Sequence, residues 1–164
     1  EEMATQAAER NVDVQVASLR HPQKFVLDTS YDAVTLLYAY GHLPNRETRR
    51  NVIEASFSLL NPGGRFYFDA FDVQDAHEWG PEALQQFHDQ RLGPQGYEEG
   101  DVFYRRTRGE HVAFLHYCSS DRLKSLMEEA GFEDIELTTI GYDQEVGKEA
   151  HNGKLFVSGR KPLK

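Results

Sequence analysis

The hydrophobic pattern of the chain changes period from segment to segment, and each change marks an element. Ala33 to Leu37, opened by Tyr31-Asp32, is an unbroken apolar run too short for a buried helix. Such a run predicts a strand buried on both faces, as in a parallel sheet. After Pro44 a helical period takes over, with Asn45 as N-cap and Ile53, Phe57 and Leu60 on one face. Asn61-Pro62-Gly63-Gly64 ends that helix, because proline cannot continue it and glycine takes positive φ without steric cost. Arg65 to Phe71 is the next apolar run. Strand, helix, strand is the crossover unit of an open α/β sheet.

The flanks follow the same logic. Glu1 to Arg10 is helical in pattern, with Met3 and Ala7 four apart, and Asn11 to Ala17 alternates as a strand. Ser18 to Lys24 is a loop containing Pro22. From Asp72 to Gly100 the chain is polar, with a short helix carrying Leu84 and Phe87 that Gly93, Pro94 and Gly96 interrupt. Asp101–Thr107 and His111–Tyr117 read as the arms of a hairpin around Arg108-Gly109. Ser119-Ser120-Asp121 caps a helix whose face is Leu123, Leu126, Met127 and Ala130, with Gly131 as the residue beyond its end. Phe132 to Ile140 and Lys154 to Gly159 are strands joined by an acidic loop.

Composition narrows the class. A chain of 164 residues, 39% hydrophobic, suits one domain with a real core. Its net charge of −9 argues against a broad nucleic-acid surface. Cys118 is the only cysteine, so no intrachain disulfide forms and a reducing, cytoplasmic setting is expected. No run reaches the roughly 18 apolar residues that would cross a bilayer, so no membrane partner is expected.

Three of these signatures occur together: an aromatic-Asp pair opening a buried strand, the turn Leu60-Asn61-Pro62-Gly63-Gly64, and an ending of helix, Ala130-Gly131-Phe132, strand, loop and final strand. In combination they resemble class I S-adenosylmethionine-dependent methyltransferases, over residues Glu1 to about Lys161. The resemblance implies a single α/β domain over 1–164. Its sheet is an incomplete Rossmann-like methyltransferase sheet, mainly parallel with an antiparallel last strand. Residues 72–118 are implied to insert a small β-hairpin lid that bears on the substrate. The implied cofactor is S-adenosylmethionine, bordered by Met3, Ser18, Leu19, Tyr38 and Ala39. Ser18 falls where the family carries an acid for the adenine amino group.

The family's glycine-rich turn after the first strand and the acid closing the second strand have no counterpart in this sequence. The expectation is a domain lacking its first two strands, binding the cofactor weakly or not at all. A homodimer, or the remnant of a longer chain, is expected to complete the sheet edge.

Candidate chemistry lies at the carboxyl ends of the central strands, where open α/β sheets bind ligands. Tyr40 and His42 follow the first of them and are the candidate catalytic pair, His42 as a proton acceptor. The alternative is that Tyr38 packs in the core and His42 caps the helix. Asp69, at the end of the next strand, is a candidate substrate residue, and so are Tyr104, Arg106 and Tyr117 on the hairpin. Arg105, Arg106 and Arg108 suit an anionic ligand, or else form a solvated face balancing Glu98, Glu99 and Asp101. Asp69, Asp72, Asp75 and His77 match no defined metal loop, so no metal site is assigned. Cys118 reads as a packed residue.

The function these features imply is methyl transfer from S-adenosylmethionine to a small-molecule acceptor. The alternative is a non-catalytic methyltransferase-fold module that serves as a partner or scaffold.

Overall fold

The computed structural model describes residues 18–22, 30–75, 79–105, 112–140 and 153–164. The helix expected at Glu1–Arg10, the strand at Asn11–Ala17, the hairpin tip around Arg108-Gly109 and most of the acidic loop lie outside the described residues. The first unit is strand β1 (Tyr31–Leu36), helix α1 (Arg46–Leu59) and strand β2 (Leu60–Asp72). The Asn45 side chain caps α1 by accepting from the Thr48 N–H at 2.8 Å. At the other end Lys161 Nζ donates to the carbonyls of Phe57 and Leu60, at 3.0 and 2.8 Å. It thereby satisfies carbonyls that a terminating helix leaves open. β2 begins at Leu60, so Asn61-Pro62-Gly63-Gly64 lies within its span, with Gly63 at φ +82. A Cβ on Gly64 would come within 3.0 Å of the Tyr31 carbonyl oxygen, so glycine lets the two strands start side by side.

Helix α2 (Gly80–Asp89), strands β3 (Asp101–Arg105) and β4 (Val112–Cys118), helix α3 (Ser120–Glu129), and strands β5 (Glu133–Ile140) and β6 (Lys154–Arg160) complete the described elements. α3 carries the expected cap, with Ser119 Oγ accepting from the Arg122 N–H at 3.3 Å, and Gly131 follows it at φ +95.

The sheet runs β3-β4-β2-β6-β5, with β1 also paired to β2. The expectation of a mainly parallel sheet is corrected. β1·β2 and the two-residue β2·β4 contact are parallel, whereas β2·β6, β5·β6 and β3·β4 are antiparallel. The reason is connectivity. A parallel neighbour requires a crossover, whereas the consecutive strands β3·β4 and β5·β6 pair antiparallel, and β6, reversed relative to β5, also runs against β2.

The burial expected for β1 is also corrected. Val34 and Leu36 pack on the core, while Ala33 and Thr35 at the alternate positions are exposed. Among the described residues β1 pairs with β2 alone, so its apolar run covers one face instead of two.

β2 divides the molecule. Phe66 and Phe68, both fully buried, turn toward α1 and α3 and join Ile53, Leu123, Met127 and Val157 in the main core. A smaller cluster of Ala83, Val102, Leu115 and Tyr117 fixes the hairpin to α2. The Gln86 side chain clasps the backbone of β3, accepting from Phe103 N–H at 2.8 Å and donating to its carbonyl at 3.1 Å. One side chain thus satisfies polar groups that an edge strand would offer to another chain. No helix among the described residues is long and apolar enough to cross a membrane.

Burial on the two faces of β2 predicts different costs. Phe66→Ala should lower the unfolding free energy by about 3–5 kcal/mol in urea titrations. Tyr67→Ala, on the half-buried face against Phe156, should cost clearly less. Equal losses would contradict this division of the core.

Candidate functional site

At the carboxyl edge of the parallel pair, the chain leaves β1 through Leu37 and enters Tyr38 in the left-handed region, at φ 56. A non-glycine residue there needs support. The Tyr38 N–H donates to Asp69 Oδ1 at 2.5 Å and supplies it. The other Asp69 oxygen accepts from Lys154 Nζ at 3.0 Å. That ammonium also stands 3.8 Å above the centre of the Tyr38 ring and 4.9 Å from that of Phe71. Phe71 meets His42 edge-on at 5.9 Å and Tyr117 at 5.4 Å. Tyr117 Oη accepts from the Trp79 N–H at 3.2 Å, and the Trp79 ring meets Tyr104 edge-on at 4.4 Å. One aromatic row thus joins the turn after β1 to the hairpin, and it brings together Tyr38, His42, Asp69, Tyr104 and Tyr117.

The other expected residues lie elsewhere. Tyr40 is fully buried against Phe68, at 5.1 Å between ring centres, and burial pushes its phenol pKa far up. It is therefore Tyr40 that packs in the core, while Tyr38 is 75% exposed. His42 is exposed and closes the short 3₁₀ turn Tyr40–His42, its N–H donating to the Ala39 carbonyl at 3.0 Å. Leu19 packs against the main core and Ser18 is exposed. Met3 and Arg106 lie outside the described residues.

A second polar group is buried on the opposite side of β2. Arg49, on α1, is 1% exposed. Its guanidinium donates to the Leu43 carbonyl at 2.8 Å, pairs closely with Glu98, and lies 3.4 Å from Asp101 Oδ1. Asp101 Oδ1 also meets His116 Nδ1 at 2.7 Å, and Asp101 Oδ2 accepts from the Glu98 N–H at 2.8 Å. Burial lowers the His116 pKa, against the raising effect of the Asp101 hydrogen bond. The imidazole is therefore neutral near pH 7.

His116 and Cys118 form one wall of a cleft of about 520 Å³, closed by Val73, Leu84, Glu98 and the first turns of α3. Its size suits a small molecule. Among the described residues no group of three or more His, Cys, Asp or Glu side chains could hold a metal ion. Asp72 Oδ1 accepts from the Gln74 N–H at 2.9 Å, and Asp69 is committed as described.

Sequence reasoning did not name Lys154, Arg49 or the Asp101–His116 pair, yet each left a signal. A hairpin centred on Arg108-Gly109 places Asp101 directly opposite His116, which is the observed register. Arg49 shares the helical stripe of Val52, Ile53 and Ser56, all buried. Lys154 pairs with Phe71 where β6 begins beside β2.

Burial pushes the Cys118 thiol up to about 12. The folded protein should therefore leave a disulfide reagent unreacted at pH 8, and one equivalent should react in urea. Rapid reaction in the folded state would contradict the packed position.

The family follows from comparison with known proteins. Residues 2–137 match the family model described as a methyltransferase domain. A search of curated proteins found no match. Among solved structures the chain is similar to an S-adenosylmethionine-dependent methyltransferase of Methanosarcina mazei. The two share 20% identity over 93% of this chain and 68% of that one, with a TM-score of 0.71. It is also similar to an S-adenosylmethionine-dependent methyltransferase of Thermotoga maritima, described as a possible histamine N-methyltransferase. Identity is 17% over 98% of this chain and 70% of that one, with a TM-score of 0.60. The DhpI–SAM–HEP complex matches at 20% identity, 97% and 62% coverage and a TM-score of 0.56. At these identities the likeness is one of fold, and the chain spans about two thirds of the length of these three. The family model covers well over half of the chain, and the chain belongs to the methyltransferase domain family.

Proposed function

We propose that this chain transfers a methyl group from S-adenosylmethionine to a small-molecule acceptor, alone or as part of a longer enzyme. The observation that carries this reading is the match of residues 2–137 to the methyltransferase domain family, together with the turn through Tyr38 and Ala39 at the carboxyl edge of the parallel pair β1·β2. Tyr38 and Ala39 supply one wall for the cofactor, on the edge where open α/β sheets bind ligands. When bound, the cofactor brings a methyl group that is already activated, so the protein's task is to position the acceptor and exclude water. The cleft beneath the hairpin has the volume for a small acceptor.

A second reading, a non-catalytic partner or scaffold module, is favoured by one observation. Both carboxylate oxygens of Asp69 are already used within the chain. Under either reading the exposed apolar side chains at the end of β1, Leu37 at 52% and Tyr38 at 75%, suit an assembly that covers them.

Calorimetric titration with S-adenosylhomocysteine tests the proposal. Binding should be saturable but weaker than low micromolar, and Tyr38→Ala should weaken it further. No saturable heat up to millimolar ligand would refute the enzyme reading for this chain and leave the module.

A further inference from the structure

We propose that Lys154 presets the turn at the ligand edge. Its ammonium fixes the Tyr38 backbone by way of Asp69, and the Tyr38 side chain by direct contact with the ring. Lys154 and Asp69 are then positioning residues that act on a bound ligand only through Tyr38. As a statement about the cofactor this rests on the methyl-transfer reading above; as a statement about the turn it does not.

The sheet register brings the three groups together. Lys154 opens β6 directly opposite Phe71 of β2, and Phe156 lies opposite Asp69. Lys154 and Asp69 are therefore diagonal neighbours across an antiparallel pair, within reach of a long side chain. β1 runs along the other side of β2, with Leu36 beside Phe68, so the turn after it begins next to Asp69. One lysine thus reaches from β6 across β2 to the end of β1. Among the described residues β1 pairs with β2 alone, so contacts made across β2 weigh more for its turn.

Backbone and ring are held separately. Tyr38 stands at φ 56, a region that a residue with a Cβ enters only with support. Its N–H donates to Asp69 Oδ1 at 2.5 Å, and Lys154 Nζ donates to Asp69 Oδ2 at 3.0 Å. The Asp69 and Lys154 side chains are only 10% and 18% exposed, so water competes poorly for either charge. Without the ammonium, Oδ2 must turn to find another donor, which draws Oδ1 off the Tyr38 N–H. The same ammonium lies 3.8 Å above the Tyr38 ring centre and anchors a side chain that is otherwise open. Two residues on, the buried Tyr40 ties the far end of the turn to the core.

In a core residue an uncommon backbone is offset by packing. Most of the Tyr38 ring faces water, so little offsets it there. An open ring held on a left-handed residue at the carboxyl edge of the sheet fits a binding wall built before the ligand arrives. It also accounts for the use of both Asp69 oxygens within the chain. The carboxylate orients the wall and does not itself receive the ligand.

The free protein tests the turn, with no ligand present. The ε-methylene protons of Lys154 should resonate upfield of those of the other lysines because of the Tyr38 ring, and Tyr38→Leu should remove that shift. In Lys154→Met the Tyr38 amide should exchange with solvent about tenfold faster or more, the order expected for losing one charge-assisted partner. Lys154→Arg, which can keep both the ion pair and the ring contact, should retain most of the protection. The Phe66 and Val157 amides should be unchanged in both variants, which verifies the fold. An unmoved Tyr38 amide in Lys154→Met, or an equal loss in Lys154→Arg, overturns the proposal.

Titration with S-adenosylhomocysteine tests the route. Lys154→Met and Asp69→Asn should each weaken binding by about tenfold, and the double variant should bind no worse than the weaker single one, because both act through one residue. Losses that multiply would mean separate contacts with the ligand and would overturn it. If the wild type gives no saturable heat, the methyl-transfer reading fails, while the amide exchange still decides the role of Lys154.

Discussion

A guanidinium shut away from water must be paired at nearly every N–H, and much of this molecule is arranged around that requirement at Arg49. The side chain reaches three separate pieces of chain: the Leu43 carbonyl after the turn, Glu98 before the hairpin, and Asp101 on β3. Deleting one partner of such a buried set costs about 3–5 kcal/mol, because the remaining charge has nowhere to go. The interaction is therefore better understood as fixing one arrangement than as adding net stability. It sets the hairpin's position relative to α1, and with it the Asp101–His116 pair and the wall of the cleft.

The two faces of β2 carry different duties for the same reason. Phe66 and Phe68 give the main core its apolar volume, while Asp69 and Phe71 near its carboxyl end look toward the turn after β1. The Asp69–Lys154 pair near Tyr38 and the Arg49–Asp101 pair are both largely shut away from water, so the charges in each act on one another at close range. The uncommon backbone of Tyr38 is held by its N–H bond to Asp69, so the carboxylate has a structural use beside any chemical one. Gly100 shows how tightly the hairpin is seated. It sits at φ +93, and a Cβ there would fall 2.0 Å from the Tyr117 carbonyl oxygen. Only glycine lets the chain enter β3 at that point.

Much of the fold was legible because local signals and burial agree. Asn45, Ser119 and Gly131 do in the structure what their residue types predict. The aromatic row was partly legible too, since strand ends point to Tyr38, His42 and Asp69. What misled was the apolar run at Ala33–Leu37. A run of that composition reads as buried on both faces, but covering depends on elements distant in sequence, and only Val34 and Leu36 meet the core. Tyr40, a catalytic candidate by its place after the strand, is fully buried, whereas Tyr38, in the left-handed region two residues earlier, is exposed. The buried polar group was missed for a different reason. Arg49, Glu98, Asp101 and His116 look like ordinary surface residues one at a time, and hairpin register together with a helical stripe is needed to see that they converge.

The most direct test of Arg49 as the element that seats the hairpin is native-state hydrogen exchange on Arg49→Met, a change that keeps the stem and removes the charge. The account predicts that the Val102, Leu115 and Tyr117 amides exchange through a local opening at least tenfold faster than in wild type. The Phe66 and Val157 amides at the centre of β2 and β6 should keep their protection. Unchanged exchange in the hairpin, or an equal loss of protection throughout the sheet, would contradict it.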